Sequence, residues 1–123
     1  MPTISDTPGI SYDLAVRPPL ERLLVLWNLS AAQGAQLFRI SRQAFAKWQK
    51  AAPPAERAAA VAALAAATDI LDHHLKRERI PAVVRRKAAQ LAGKSLLDLA
   101  RAREYDRVRS VAETMFDLRR VEP

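Results

Sequence analysis

Arg42, Gln43, Ala46 and Lys47 fall within one short stretch of this 123-residue chain, and their types suit the reading of a nucleic-acid duplex. An arginine can pair bidentately with guanine, a glutamine can pair with adenine, and a lysine can neutralise a phosphate. Ser41 stands just ahead of them as a good helix N-cap, and Ser30 offers a second cap earlier, so two short helices are expected. Ala35, Phe38, Ile40, Phe45 and Trp48 fall where two such helices must touch, which leaves Ser41, Arg42, Gln43, Ala46 and Lys47 facing outward. The spacing fits a helix-turn-helix of about twenty residues, with the outward set on the recognition helix and Lys50 added to the DNA-binding candidates. Two positions depart from the usual pattern. Arg39 occupies the turn where glycine makes a positive φ cheap. Gly34 takes a first-helix position usually given to a larger apolar residue, at a cost of about 1 kcal/mol relative to alanine.

A second group could suggest different chemistry. Asp69, Asp72, His73 and His74 lie close together on a helical stretch. Adjacent histidines diverge by about 100° on a helix, whereas the common two-histidine metal site uses i, i+4 spacing. No metal site is expected there. The chain has no cysteine, no glycine-rich phosphate loop and no serine spaced to a base and an orienting acid. Neither an enzyme nor a cofactor is expected.

The elements that must position the Arg42 stretch are all helical. Residues 1–19 carry several prolines and little periodicity and read as an irregular arm. Leu20, Leu23, Leu24 and Trp27 have helical spacing and predict a brace for the helix-turn-helix region of 20–52. Ala51-Ala52-Pro53-Pro54 stops the recognition helix, since a residue before proline is pushed out of the α region. The alanine-rich span 53–77 predicts a long connecting helix, whose seam of Val61, Leu64, Thr68, Leu71 and Leu75 favours packing within the chain over the alternative of a dimer zipper. Residues 78–123 form a helical bundle: a helix over 82–92 with Gly93 as its C-terminal cap, a short helix capped by Ser95, and a last helix from about Glu104 to Arg119.

Composition narrows the partners. The sequence holds 20 Lys and Arg against 13 Asp and Glu, a net charge of +7, gathered in two zones. One coincides with the helix-turn-helix, as a phosphate-binding surface should. The other, with Arg77, Arg79, Arg85, Arg86, Lys87, Lys94, Arg101 and Arg103, can flank DNA, face an acidic partner or form a solvated helical surface. No apolar run approaches the roughly 20 residues needed to cross a bilayer and no secretory leader pattern opens the chain, so a cytoplasmic protein with no membrane partner is expected.

The C-terminal half adds a resemblance. Leu91-Ala92-Gly93-Lys94-Ser95-Leu96-Leu97-Asp98-Leu99, followed by Arg103-Glu104-Tyr105-Asp106-Arg107-Val108, resembles the toxin-binding domain of the Xre/MbcA/ParS antitoxin family. With the helix-turn-helix ahead of it, the likeness runs from about Leu20 to Leu118. Gly93, Ser95, Leu96 and Leu97 match the family's turn into the short helix, and Tyr105 and Val108 match the start of the last one. The family often has glycine before the Glu-Tyr pair, where this chain has Arg103.

The resemblance implies a type II antitoxin that occludes the NAD site of a RES-domain toxin, one that consumes NAD or transfers ADP-ribose, and that represses its own operon by binding double-stranded operator DNA. A homodimer is expected because a single recognition helix gives little specificity and paired half-sites supply the rest, and a larger toxin–antitoxin assembly is expected with the toxin. Tyr105, Arg109, Met115, Phe116, Arg119 and Arg120 are the candidate toxin contacts, because aromatic and arginine side chains make good interface anchors. Two alternatives stay open: a stand-alone helix-turn-helix repressor with no toxin, and an interaction module without DNA binding.

Overall fold

A computed structural model of the chain describes residues 17–121, with side chains through Asp117. The described residues are all helical: α1 (Pro19–Trp27), α2 (Ala31–Phe38), α3 (Arg42–Lys50), α4 (Ala55–His74), α5 (Ile80–Arg85), α6 (Leu96–Arg101) and α7 (Tyr105–Val121), with 3-10 turns at Arg77–Arg79 and Ala89–Leu91. The expected arm lies outside the described residues except for its last three, where Pro18 precedes α1 and Pro19 opens it. Proline suits that position because its missing N–H is unpaired there anyway.

Three serines start helices as expected. The Ser30 hydroxyl accepts from the Gln33 N–H while the Gln33 side chain accepts from the Ser30 N–H, closing a reciprocal capping box on α2. Ser41 caps α3 through the Ala44 N–H at 3.0 Å. Ser95 and Asp98 close a second box on α6, and Lys87 pairs with the same Asp98 carboxylate. The Lys87 ammonium, followed by the Ser95 N–H, pulls the Asp98 carboxyl down to about 2.

One expected element differs. The helix foreseen over 82–92 begins earlier, because Pro81 fits its first turn, and it ends at Arg85. Arg86 turns extended, and Ala88 then bridges back to Lys94 across a turn in which Ala92 (φ 59°) and Gly93 (φ 78°) are both left-handed. Gly93 therefore makes a tight reversal rather than the end of a long α-helix.

One core runs through both halves of the chain. Trp27, Leu37, Phe38 and Phe45 from the first three helices join Leu64, Leu71, Ile80, Val84, Leu99 and Val108 in a single buried cluster. The spans 20–52, 53–77 and 78–123 thus share their apolar interior. In α4, Val61, Leu64, Thr68 and Leu71 are buried, and Leu75 just after it is half-buried, with α4 packed between α1 and α7. The seam is filled by the chain itself. Thr68, a polar residue in that seam, accepts the Trp27 indole N–H at 3.1 Å and donates to the Leu64 carbonyl at 2.7 Å. Both partners are satisfied, which removes the cost of burying them.

Candidate nucleic-acid interface

The position of α3 is set by its contact with α2. Phe38 of α2 stacks on Phe45 and meets Trp48 edge-on, with centroids 6.4 and 5.6 Å away. Gly34 is buried beneath this contact: a Cβ there would stand 2.8 Å from Phe45 Cζ and 2.6 Å from Leu24 Cδ2. The volume that a larger residue supplies in other such motifs comes here from its neighbours.

The turn between α2 and α3 has the expected shape with an unexpected residue. Arg39 adopts φ 56° and ψ 47°, and its N–H and that of Ile40 return to the Gln36 and Ala35 carbonyls. This left-handed termination satisfies carbonyls that the helix leaves open. An L-residue in that conformation carries a steric cost of about 1–2 kcal/mol. Arg103, the other position where glycine was expected, is left-handed too, at φ 66°, and ends α6 through the same pair of backbone bonds, with its own N–H to Ala100 and that of Glu104 to Leu99.

Side chains that follow the recognition unit in the chain hold it from behind. The Arg57 guanidinium donates to the Phe38 carbonyl at 2.8 Å and lies 5.7 Å over the Trp48 ring. Arg85 donates to the Trp27 and Asn28 carbonyls at 2.8 and 3.0 Å, closing the C-terminal end of α1. The Tyr105 hydroxyl donates to the Leu37 carbonyl at 2.6 Å, and its ring stacks on Phe38 at 5.7 Å. Sequence reasoning missed Arg57 and placed Thr68 only in the seam and Arg85 only in a basic zone, without their hydrogen bonds. Each acts on a partner at least nineteen positions away, so spacing carries no trace of the contact.

What faces outward from α3 is the expected set. Ser41, Arg42, Gln43, Ala46, Lys47 and Lys50 are all exposed. Ser41 is used in its cap, while the side chains of Arg42, Gln43, Lys47 and Lys50 have no hydrogen bond or ion pair among the described residues. An open depression runs along this surface, lined by Ala31 at the start of α2 and by Ser41, Arg42, Gln43, Ala46 and Gln49. Gln49 is half-buried and was not foreseen as part of the surface.

The candidate toxin-binding residues are dispersed. Tyr105 is spent on Leu37 and Phe38, and Phe116 is buried and stacked on His74 at 4.1 Å. Both aromatic rings that looked like interface anchors thus serve intrachain packing, because α7 needs apolar mass against α2 and α4. Arg109 is exposed and pairs with Glu113 at 3.3 Å along the helix. Met115 is half-buried beside an apolar groove lined by Val83, Ala88, Leu91, Leu96 and Val111, with Arg86 also in its lining. Arg119 and Arg120 lie outside the described side chains.

Asp69 and Asp72 of α4 are also engaged, and the His73 ring meets that of His74 edge-on. Asp69 pairs with Arg22, and Asp72 receives two bonds from Arg77, which push that guanidinium's pKa up. Among the described residues no group of three potential ligands could hold a metal ion, and no helix is long and apolar enough to cross a membrane. No protein-family model, curated protein or solved structure matches this chain.

Proposed function

We propose that this protein is a DNA-binding antitoxin: it reads operator DNA through α3, represses its own operon, and neutralises a RES-domain toxin by covering its NAD site. The observation that carries the DNA half is the unspent outward face of α3. Arg42, Gln43, Lys47 and Lys50 are exposed and unpartnered among the described residues, on a helix whose inner face is fixed by Phe38, Phe45 and Trp48. A helix held rigidly from behind with cationic and amide groups in front suits insertion into a major groove. The toxin half rests on the resemblance of Leu91–Leu99 and Arg103–Val108, and the apolar groove beside Met115 gives it a surface on which a partner can bury apolar area.

Titration of the full chain against its own promoter duplex and against an unrelated duplex of equal length, over a series of salt concentrations, tests the DNA half. The proposal expects tighter binding to the promoter and a log–log salt slope of about −0.9 per phosphate contacted. Lys47→Ala weakens binding to all sequences and flattens that slope, whereas Gln43→Ala changes sequence preference. Equal, salt-insensitive behaviour on both duplexes would sink this half. Nuclease-treated affinity purification from the host tests the other half: a RES-domain protein at near-stoichiometric level supports it, and the chain recovered alone while it still binds promoter DNA leaves a simple repressor.

A further inference from the structure

The outward surface of α3 divides into two stripes with different surroundings. Arg42, Ala46 and Gln49 are spaced i, i+4, i+7, as are Gln43, Lys47 and Lys50, and the two stripes lie about 100° apart around the helix. Every residue of the first stripe lines the depression, to which α2 contributes Ala31. Of the second stripe only Gln43 reaches that depression, while Lys47 and Lys50 are exposed outside it.

From this arrangement, and resting on the DNA reading above, we infer that Arg42 is a backbone anchor rather than a base reader: its guanidinium holds a phosphodiester in the depression between α2 and α3, and base discrimination falls to Gln43. The major groove is about 12 Å wide, barely more than the diameter of one helix, so α3 can enter it only with α2 left outside, over one sugar-phosphate strand. The stripe of α3 nearest α2 then faces that strand, and the stripe turned away from α2 faces the groove floor. Ala31 and Ala46 bring no bulk beyond a methyl group to the depression, which leaves room for a phosphate against the Arg42 side chain. The Arg42 guanidinium has no hydrogen bond or ion pair among the described residues, so its donors are available.

Arginine and lysine help to separate the two roles, since a phosphate accepts either charge, whereas a base edge is more sensitive to the exchange of the planar arginine fork for the point charge of a lysine. The full chain with Arg42→Lys, Arg42→Ala or Gln43→Ala is measured for affinity and salt slope on its promoter duplex, and each variant's base preference is read by selecting bound duplexes from a random pool. The assignment expects Arg42→Lys to keep both slope and preference. It expects Arg42→Ala to bind every sequence more weakly, with the slope shallower by about 0.9 and the preference unchanged, while Gln43→Ala shifts the preference. A guanine preference lost in Arg42→Ala, whether or not Arg42→Lys keeps it, overturns the assignment and leaves the DNA reading standing. Absence of salt-dependent binding by the unaltered chain overturns the DNA reading, and this assignment with it. Arg42 is exposed at the first position of α3, so circular dichroism of each variant is expected to match the unaltered chain.

Discussion

Helices α3 and α7 carry residues of comparable promise and use them in opposite ways. In α3 the aromatic side chains Phe45 and Trp48 face Phe38, and the cations and amides are left to solvent. In α7 the aromatics Tyr105 and Phe116, which looked like partner anchors, close the chain on itself through Leu37, Phe38 and His74. Residue type marks a site only where the fold has no prior use for the side chain. The last helix packs on α4 and α6 and reaches α2 through Tyr105, whereas α3 has a free outer face.

The largest effect that bears on this contrast comes from Phe38, which touches aromatic rings of both helices, Phe45 and Trp48 in α3 and Tyr105 in α7. Phe38→Ala is expected to cost about 3–5 kcal/mol, a large part of a typical total of about 5–15. Denaturant unfolding followed by both tryptophan fluorescence and circular dichroism should move as one transition. If the fluorescence change separated from the loss of helix, the recognition unit would be an independent body and the contrast would be one between two domains.

Gly34 gives the next largest effect, and its sign is informative. Helix propensity alone says that alanine gains about 1 kcal/mol. A Cβ at this position meets Leu24 and Phe45 well inside contact distance, and overpacking of that kind costs about 1–3 kcal/mol. Gly34→Ala is therefore expected to lower stability by about 1 kcal/mol in a denaturant titration, and a gain would mean that the Phe45 ring can retreat.

The same residue shows what the sequence makes legible. Local signals carried well: Ser30, Ser41 and Ser95 start helices where their spacing said, and the inner and outer faces of α3 follow from the positions of Phe45 and Trp48. Gly34 was readable as a weak helix former but not as the floor of an aromatic contact, because that depends on a ring eleven positions on and on Leu24 from a third helix. The helix over 82–92 failed for a related reason. Its apolar spacing is helical, but Arg85 turns back onto the Trp27, Asn28 and Pro81 carbonyls and Ala88 pairs with Lys94, neither of which periodicity records.

A smaller change sharpens the contrast from the side of α7. Tyr105→Phe keeps the ring on Phe38 and removes only the hydroxyl that reaches the Leu37 carbonyl. The loss is expected to be about 1 kcal/mol, the net value of one such bond, with affinity for a protein partner unchanged. A drop in partner affinity without loss of stability would return Tyr105 to the interface.

The smallest expected effect compares two turns that share one conformation. Arg39 ends α2 beside the recognition helix, and Arg103 ends α6 ahead of α7, both left-handed and both closed by the same two backbone bonds. Glycine relieves the steric cost of that conformation but makes the unfolded chain freer, so each Arg→Gly change is expected to gain less than about 1 kcal/mol. Thermal unfolding of the two variants should therefore show equal, slightly raised midpoints. DNA affinity separates them: Arg39→Gly removes a cation one residue before the Ile40-Ser41 entry to α3, whereas Arg103→Gly removes one after α6. A loss of salt-dependent binding confined to Arg39→Gly would mean that the arginine is kept in a strained turn for its charge. Equal affinities would mean that neither turn owes its arginine to DNA.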